Sequence, residues 1–231
     1  MDLLLASLAT CAAATFGSIG AKMRLPIDDF EVAVDADRAT STPRVWTDIA
    51  LRYHVRSDAP IDRLERAVEL TRRTCSVSVM LDLATSLTEK LFVVSEVDES
   101  STVDIRHRLL RAGMPRSSVA MRGDEAATWF AVIHDGVVEG TAGIFAAESP
   151  DGDSRHRLRG MATSDLVRGS GLGRMLLDAV CDRVVADGGS SVWASARTTA
   201  AGFYTRLAFE IVSDEYEVEG IGPHVRMRRG L

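Results

Sequence analysis

Val167-Arg168-Gly169-Ser170-Gly171-Leu172-Gly173 joins a strand candidate, Arg155 to Thr163, to a segment whose Leu172, Leu176, Val180 and Val184 recur at helical spacing. A strand, a glycine-rich turn and a helix in that order gather several unpaired backbone N–H groups and the positive end of a helix dipole at one point, which suits a diphosphate. The glycines allow the close backbone approach that side chains would block. The stretch lacks the Lys-Ser/Thr of a P-loop, and its glycine spacing is not that of the dinucleotide fingerprint, so ATP and NAD are disfavoured. Taken alone, the same seven residues would also serve as a tight strand-to-helix connection with no ligand.

Working outward, Asp187-Gly188-Gly189 stops the helix, Ser191 to Ala196 reads as a strand, and Thr198 to Leu207 as a short helix. Phe209 to Val218 and Val225 to Arg228 then close a sheet. Upstream, Thr128 to His134 and Val137 to Phe145 flank Asp135-Gly136, a strong hairpin signal, and Val103 to Ala112 looks helical. Before that, the polar run from Ser95 to Thr102, with Glu96, Asp98 and Glu99, has no apolar periodicity and is expected to be a linker. The first part reads as an apolar helix, Leu3 to Ala21, two half-buried strands around Phe30 to Val34 and Val45 to Val55, and a helix from Ile61 to near Cys75. A short helix, Ser76 to Leu81, and a strand, Leu87 to Val94, complete it. The expected fold class is α/β in an α+β arrangement, with one domain over 1–95, a linker over 96–102, and a second, mixed-sheet domain over 103–231.

Of the 231 residues 46% are apolar and 26% charged, the proportions of a soluble globular protein with a substantial core. The net charge is -6 and Lys and Arg do not cluster into a stripe, so nucleic acid is not an expected partner. Cys11, Cys75 and Cys181 have no CxxC spacing and no histidines placed as co-ligands, which argues against a metal site and for a reducing cytoplasm. The apolar run from Leu3 to Ala21 has Asp2 where an export signal has its basic region, and Lys22 and Arg24 follow it. Ser7, Thr10, Thr15, Gly17, Ser18 and Gly20 dilute it, so a buried helix is expected rather than a membrane span.

Arg168-Gly169-Ser170-Gly171-Leu172-Gly173 resembles the R/Q-x-x-G-x-G/A loop of the GNAT acetyltransferase family. Downstream, the run from Ala200 through Phe203-Tyr204 to Ala208-Phe209 is similar to that family's A-x-x-F-Y-x-x-x-G-F helix, and Glu219 to Met227 resembles the tail of a bacterial GNAT branch. The likeness extends from about Val103 to Leu231. It implies a sheet splayed around acetyl-CoA, backbone groups of Met161 and Thr163 against the pantetheine, and the diphosphate held by Arg168, Gly169, Ser170, Gly171, Leu172 and Gly173. Tyr204 would give a proton to the departing thiolate as general acid, the alternative being a packed tyrosine. The acceptor would be an unidentified small-molecule or peptide amine. Its base is open among His224, Glu219, Glu139 and a water chain, while Arg159 would either meet an anionic acceptor or stand exposed. Two departures are Ala208 where the family has Gly, and Ser195 where the related branch often has Asn.

The first part is similar to another family. Asp2-Leu3-Leu4-Leu5-Ala6-Ser7-Leu8-Ala9-Thr10-Cys11 resembles the P-x-E/D-L-L-L-A-S-L-x-x-C segment of OsmC/Ohr proteins, and Cys75-Ser76-Val77-Ser78 their C-P-V-S. The resemblance implies reduction of an organic hydroperoxide, Cys11 attacking and Cys75 resolving, in an intertwined homodimer. It also implies strands and a thiolate-stabilising arginine ahead of the motif, whereas Met1 stands inside it and Ser76 replaces the proline. The chain is therefore expected to be a shortened form of a longer protein, with apolar surface left open on its first helix. Cys181 is expected to be packing. Three functions follow: an N-acetyltransferase with an appended OsmC-like module, a thiol peroxidase whose GNAT part binds or senses CoA, and a non-catalytic scaffold.

Overall fold

The computed structural model describes residues 3–83 and 85–231; Met1 and the motif's acidic Asp2 lie outside the described residues. The chain forms two compact units, residues 3–95 with 133–137, and residues 96–132 with 138–231.

In the first unit, α1 (Leu3–Met23) buries Leu5, Leu8, Ala12, Phe16 and Gly20, a stripe at spacings of three and four. By length and composition this helix is apolar enough to cross a membrane, but here its stripe packs on β1 and α2, and Leu3 and Leu4 stay exposed. The strands β1 (Ile27–Arg38) and β2 (Trp46–Ser57) pair antiparallel with Val32 opposite Tyr53, and the Phe16 ring lies between Phe30 and Tyr53. A crossover of α2 (Ile61–Thr74) and α3 (Ser76–Asp82) leads to β3 (Ser86–Val97), which runs parallel to β2 with Tyr53 beside Leu91. On β2 the alternate residues Ile49, Leu51, Tyr53 and Val55 are buried against the helices, as the period of two demands. Cys75 ends α2 and opens α3 in an extended conformation, which turns its side chain into the core.

In the second unit, α4 (Glu99–Leu110) precedes a sheet of order β4-β5-β6-β7-β10-β8, with β9 on β10. Its strands are β4 (Thr128–His134), β5 (Val137–Ala146), β6 (His156–Thr163), β7 (Ser191–Arg197), β8 (Glu210–Ile211), β9 (Tyr216–Val218) and β10 (Gly222–Gly230). Two helices, α5 (Leu172–Ala186) and α6 (Ala201–Thr205), follow β6 and β7. The Asp135-Gly136 turn has φ of 49° and 72°, the paired left-handed geometry of a two-residue hairpin, as the sequence predicts. Helix α5 buries Leu172, Leu176, Val180 and Val184 together with Met175, Leu177 and Cys181.

Two expectations are corrected. Residues 96–102 are not a linker: Glu96 and Val97 finish β3, Asp98 sits at the helix cap, and 99–102 form the first turn of α4. The acidic residues that resemble solvated loop are a helix start, and Glu99 ion-pairs with the buried Arg106 one face along. The single strand expected over Phe209 to Val218 is two short ones, because Ser213 turns the chain and its hydroxyl accepts the Arg226 N–H from β10.

Candidate active site

The site begins at an irregularity in β6. Against β5, Thr141 pairs with Ala162 and Gly143 with Arg159, so Gly160 and Met161 together oppose the single residue Ala142: a β-bulge. Gly160 has a φ of 63°, and a Cβ there would stand 2.8 Å from the Trp129 ring, so both conformation and space require glycine. On its other side β6 pairs with β7 only at Arg157–Trp193 and Leu158–Ala194. Beyond those pairs the strands part, and a cavity of about 500 Å³ opens, lined on one wall by Arg159 to Met161 and on the other by Ser195 to Arg197. Met161 is therefore at the opening and Thr163 two residues further along the same strand.

The glycine loop carries the chain from β6 to α5. Gly169 and Gly171 have φ of 77° and 91°, and a Cβ on Gly169 would meet nothing, so the outer face of the loop is open. Gly171 caps α5 and its carbonyl takes the Arg174 N–H at 2.9 Å, while the Leu172 and Gly173 N–H groups before it have no carbonyl within the helix to bond. Leu172 anchors the loop by complete burial, and the Ser170 hydroxyl donates back to the Val167 carbonyl at 2.7 Å. Arg168 is exposed and ion-paired with Asp165 at 2.6 Å, at the edge of the loop. A loop open at Gly169 and leading onto a helix start fits a diphosphate.

Tyr204 lines the cavity from α6 and is almost wholly buried, edge-on to Phe203 and Phe209. Burial pushes its pKa above the ordinary phenol range, so it keeps its proton at neutral pH. His224 is buried and lines the same cavity, its Nδ1 bonded to the Gly222 carbonyl at 2.7 Å, which leaves Nε2 as the nitrogen able to take a proton. Glu139 and Glu219 do not line it. Ser195, in place of an amide, hydrogen-bonds the Tyr216 hydroxyl across two cavity-lining strands.

The sequence reading missed most of the cavity's charge. Besides Arg159, the cavity is lined by Arg106, Arg111, Arg157 and Arg197. The alternation Arg157-Leu158-Arg159 in a strand was the signal available for two of them.

In the first unit the two expected thiols meet: Cys75 Sγ donates to Cys11 Sγ at 3.1 Å, with Cys75 buried and Cys11 half-exposed, and neither in a disulfide. That donation, offset by burial and helped by the Val77 N–H and the Ser76 and Thr15 hydroxyls, holds the Cys11 thiol below the ordinary range. Ser76 thus adds a donor where the resembled motif has proline. Cys181 is buried in α5, its pKa pushed up to about 11 by desolvation, and it plays a packing part.

A mixed sheet opened by a bulge, a glycine loop capping the helix beside it and a buried tyrosine in the gap define an acyl-transferring domain. The model for the acetyltransferase (GNAT) domain matches residues 114–231, just over half of the chain, and that for OsmC-like protein matches residues 1–90. The chain belongs to the GNAT acetyltransferase family and carries an OsmC-like amino-terminal part. It is 29% identical over 142 residues to the uncharacterized N-acetyltransferase YitI of Bacillus subtilis (strain 168), a match covering 60% of this chain and 95% of that protein. It is 33% identical over 97 residues to protein YhfA of Escherichia coli (strain K12), covering 41% of this chain and 72% of YhfA. Among solved structures, a Lactobacillus plantarum protein assigned as an N-acetyltransferase superposes with a TM-score of 0.52 at 18% identity, over 61% of this chain and 98% of that one, a likeness of fold.

Proposed function

We propose that the chain transfers an acetyl group from acetyl-CoA to an amine. The observation that carries this reading is the parting of β6 from β7 after Leu158, which puts Met161, Tyr204 and His224 around one cavity. In the step this supports, the amine nitrogen attacks the thioester carbonyl, the C–N bond forms and the C–S bond breaks. Tyr204 supplies the proton to the leaving sulfur, and His224 Nε2 takes the proton that the amine loses. Bulge backbone groups at Met161, with Thr163 beyond, would line the pantetheine arm, and the loop Arg168 to Gly173 would hold the diphosphate through backbone N–H groups.

Calorimetric titration with acetyl-CoA tests the loop directly. Gly171 has a φ of 91°, so Gly171→Glu adds a strained side chain and a negative charge where a diphosphate is expected, and binding should weaken by about a hundredfold or more. Unchanged affinity would remove the loop from the site.

A second reading concerns the first unit and rests on the 3.1 Å approach of Cys11 and Cys75. Cys11 thiolate would attack a hydroperoxide oxygen, the O–O bond breaking to release an alcohol and leave a sulfenic acid. Cys75 would then displace water to close a disulfide, which an external dithiol reopens. Consumption of cumene hydroperoxide with dithiothreitol, abolished by Cys11→Ser, tests it.

A further inference from the structure

We propose that the acceptor is a small amine bearing an oxyanion, a carboxylate or a phosphate, which the guanidinium groups of Arg111, Arg157, Arg159 and Arg197 receive in the cavity between β6 and β7. This rests on the acetyltransferase reading of the same cavity and names the substrate class it takes.

Four observations converge. Five arginines reach the cavity, and only Arg106 is neutralised: it pairs with Glu99 and, at 3.2 Å, with Asp124. Among the described residues the other four have no carboxylate within ion-pair distance. Arg157 and Arg159 project from alternate positions of β6 and lie over the rings of Trp193 and Phe145, at 4.5 and 5.1 Å, which fixes their planes without neutralising them. Arg157 Nε is buried with no hydrogen-bond partner among the described residues, a donor awaiting an acceptor. Arg111 and Arg197 both donate to the Leu110 carbonyl, at 3.0 and 3.1 Å, bringing two cations to one point.

Such a cluster is electrostatically costly when nothing fills it. Burial, then the neighbouring guanidinium charges, lower the pKa of Arg111 and Arg159, and burial lowers that of Arg157. Asp124, the carboxylate that opposes this at Arg159, is already bonded to Arg106 and to the Met121 N–H. An oxyanion relieves the repulsion and satisfies the forks together, which an uncharged or cationic amine does not. The glycine loop expected to hold the CoA diphosphate contributes no residue to this cavity wall, so the arginines are not that site.

The test uses the full chain, thiol release from acetyl-CoA, and matched amines: L-glutamate against L-glutaminamide, O-phosphoethanolamine against ethanolamine, and spermidine as a polycation. The oxyanion-bearing member of at least one pair should be preferred in kcat/KM by about tenfold or more, and the winning pair identifies carboxylate or phosphate. Arg157→Gln and Arg159→Gln should each raise its KM about ten- to hundredfold, with Arg157→Lys intermediate because it keeps the charge but not the fork. Acetyl-CoA affinity in calorimetry should not change. The proposal is overturned if the uncharged amines or spermidine serve as well, or if the arginine variants weaken acetyl-CoA as much as the acceptor, which would assign the cluster to CoA phosphates. If acetyl-CoA binds but no amine is acetylated, calorimetry of the loaded protein with L-glutamate and inorganic phosphate decides: Arg157-dependent binding of either supports the proposal, and binding of neither overturns it. Failure of acetyl-CoA to bind overturns the acetyltransferase reading itself and takes this proposal with it.

Discussion

Tyr204 and Cys11 show how differently burial acts on two side chains that the sequence alone marks for proton or electron chemistry. Tyr204 is enclosed by Phe203 and Phe209 and holds its proton, as the proposed donation to a departing thiolate requires. Tyr204→Phe keeps the ring packing and removes only the hydroxyl. Turnover should fall about a hundredfold while the acetyl-CoA Kd from calorimetry stays within about twofold; equal turnover would make Tyr204 a packing residue. Cys11 is half-exposed, and its neighbour's thiol is the main cause that lowers its pKa. Iodoacetamide should therefore label Cys11 first, with a rate that rises with pH to a midpoint below the ordinary thiol range, because only the thiolate reacts. Cys75→Ala removes the leading stabiliser and should move that midpoint upward. Cys181, pushed up to about 11, should stay unlabelled at neutral pH in the folded protein. Peptide mapping after alkylation checks each statement.

At the scale of elements, strong local signals were legible and boundary signals were not. The Asp135-Gly136 hairpin, the buried stripe of α5 and the two helices split at Cys75 follow from turn chemistry and periodicity, which depend on near neighbours. The start of α4 was hidden because its capping turn is made of the same Asp, Glu and Ser that form loops, and only the ion pair from Glu99 to the buried Arg106 distinguishes the two. The bulge at Gly160 was hidden because it depends on a non-local neighbour, the Trp129 ring. The turn after α6 shows a departure from the family pattern persisting as strain. Ala208, where glycine is usual, has a φ of 63°, and left-handed backbone costs an L-residue roughly 1–2 kcal/mol. Ala208→Gly should stabilise the second unit by about 1 kcal/mol, seen as a higher urea midpoint at unchanged slope.

At the scale of the whole molecule, the two units hold separate candidate sites: the thiols in residues 3–95, and the bulge, loop and cavity in residues 96–132 and 138–231. Cys11→Ser is expected to leave acetyl transfer within about twofold of wild type, and Tyr204→Phe to leave the rate of Cys11–Cys75 disulfide formation by diamide unchanged. A large loss of transferase activity in Cys11→Ser would show the two chemistries to be coupled. By itself the sequence determined the two family likenesses, the glycine loop, the hairpin at Asp135-Gly136 and the identity of Tyr204, Cys11 and Cys75 as candidates. These are set by local geometry: glycines where φ is positive, apolar residues at helical or strand period, and motif residues at fixed short spacing. Tertiary structure alone decided that Cys11 and Cys75 touch across 64 positions of sequence, that His224 rather than Glu139 or Glu219 faces the cavity, and that Arg111 at the end of α4 converges there with Arg157 and Arg159 of β6 and Arg197 of β7. Those facts depend on where strands part and which faces meet, and no short window of sequence contains the neighbour that fixes them.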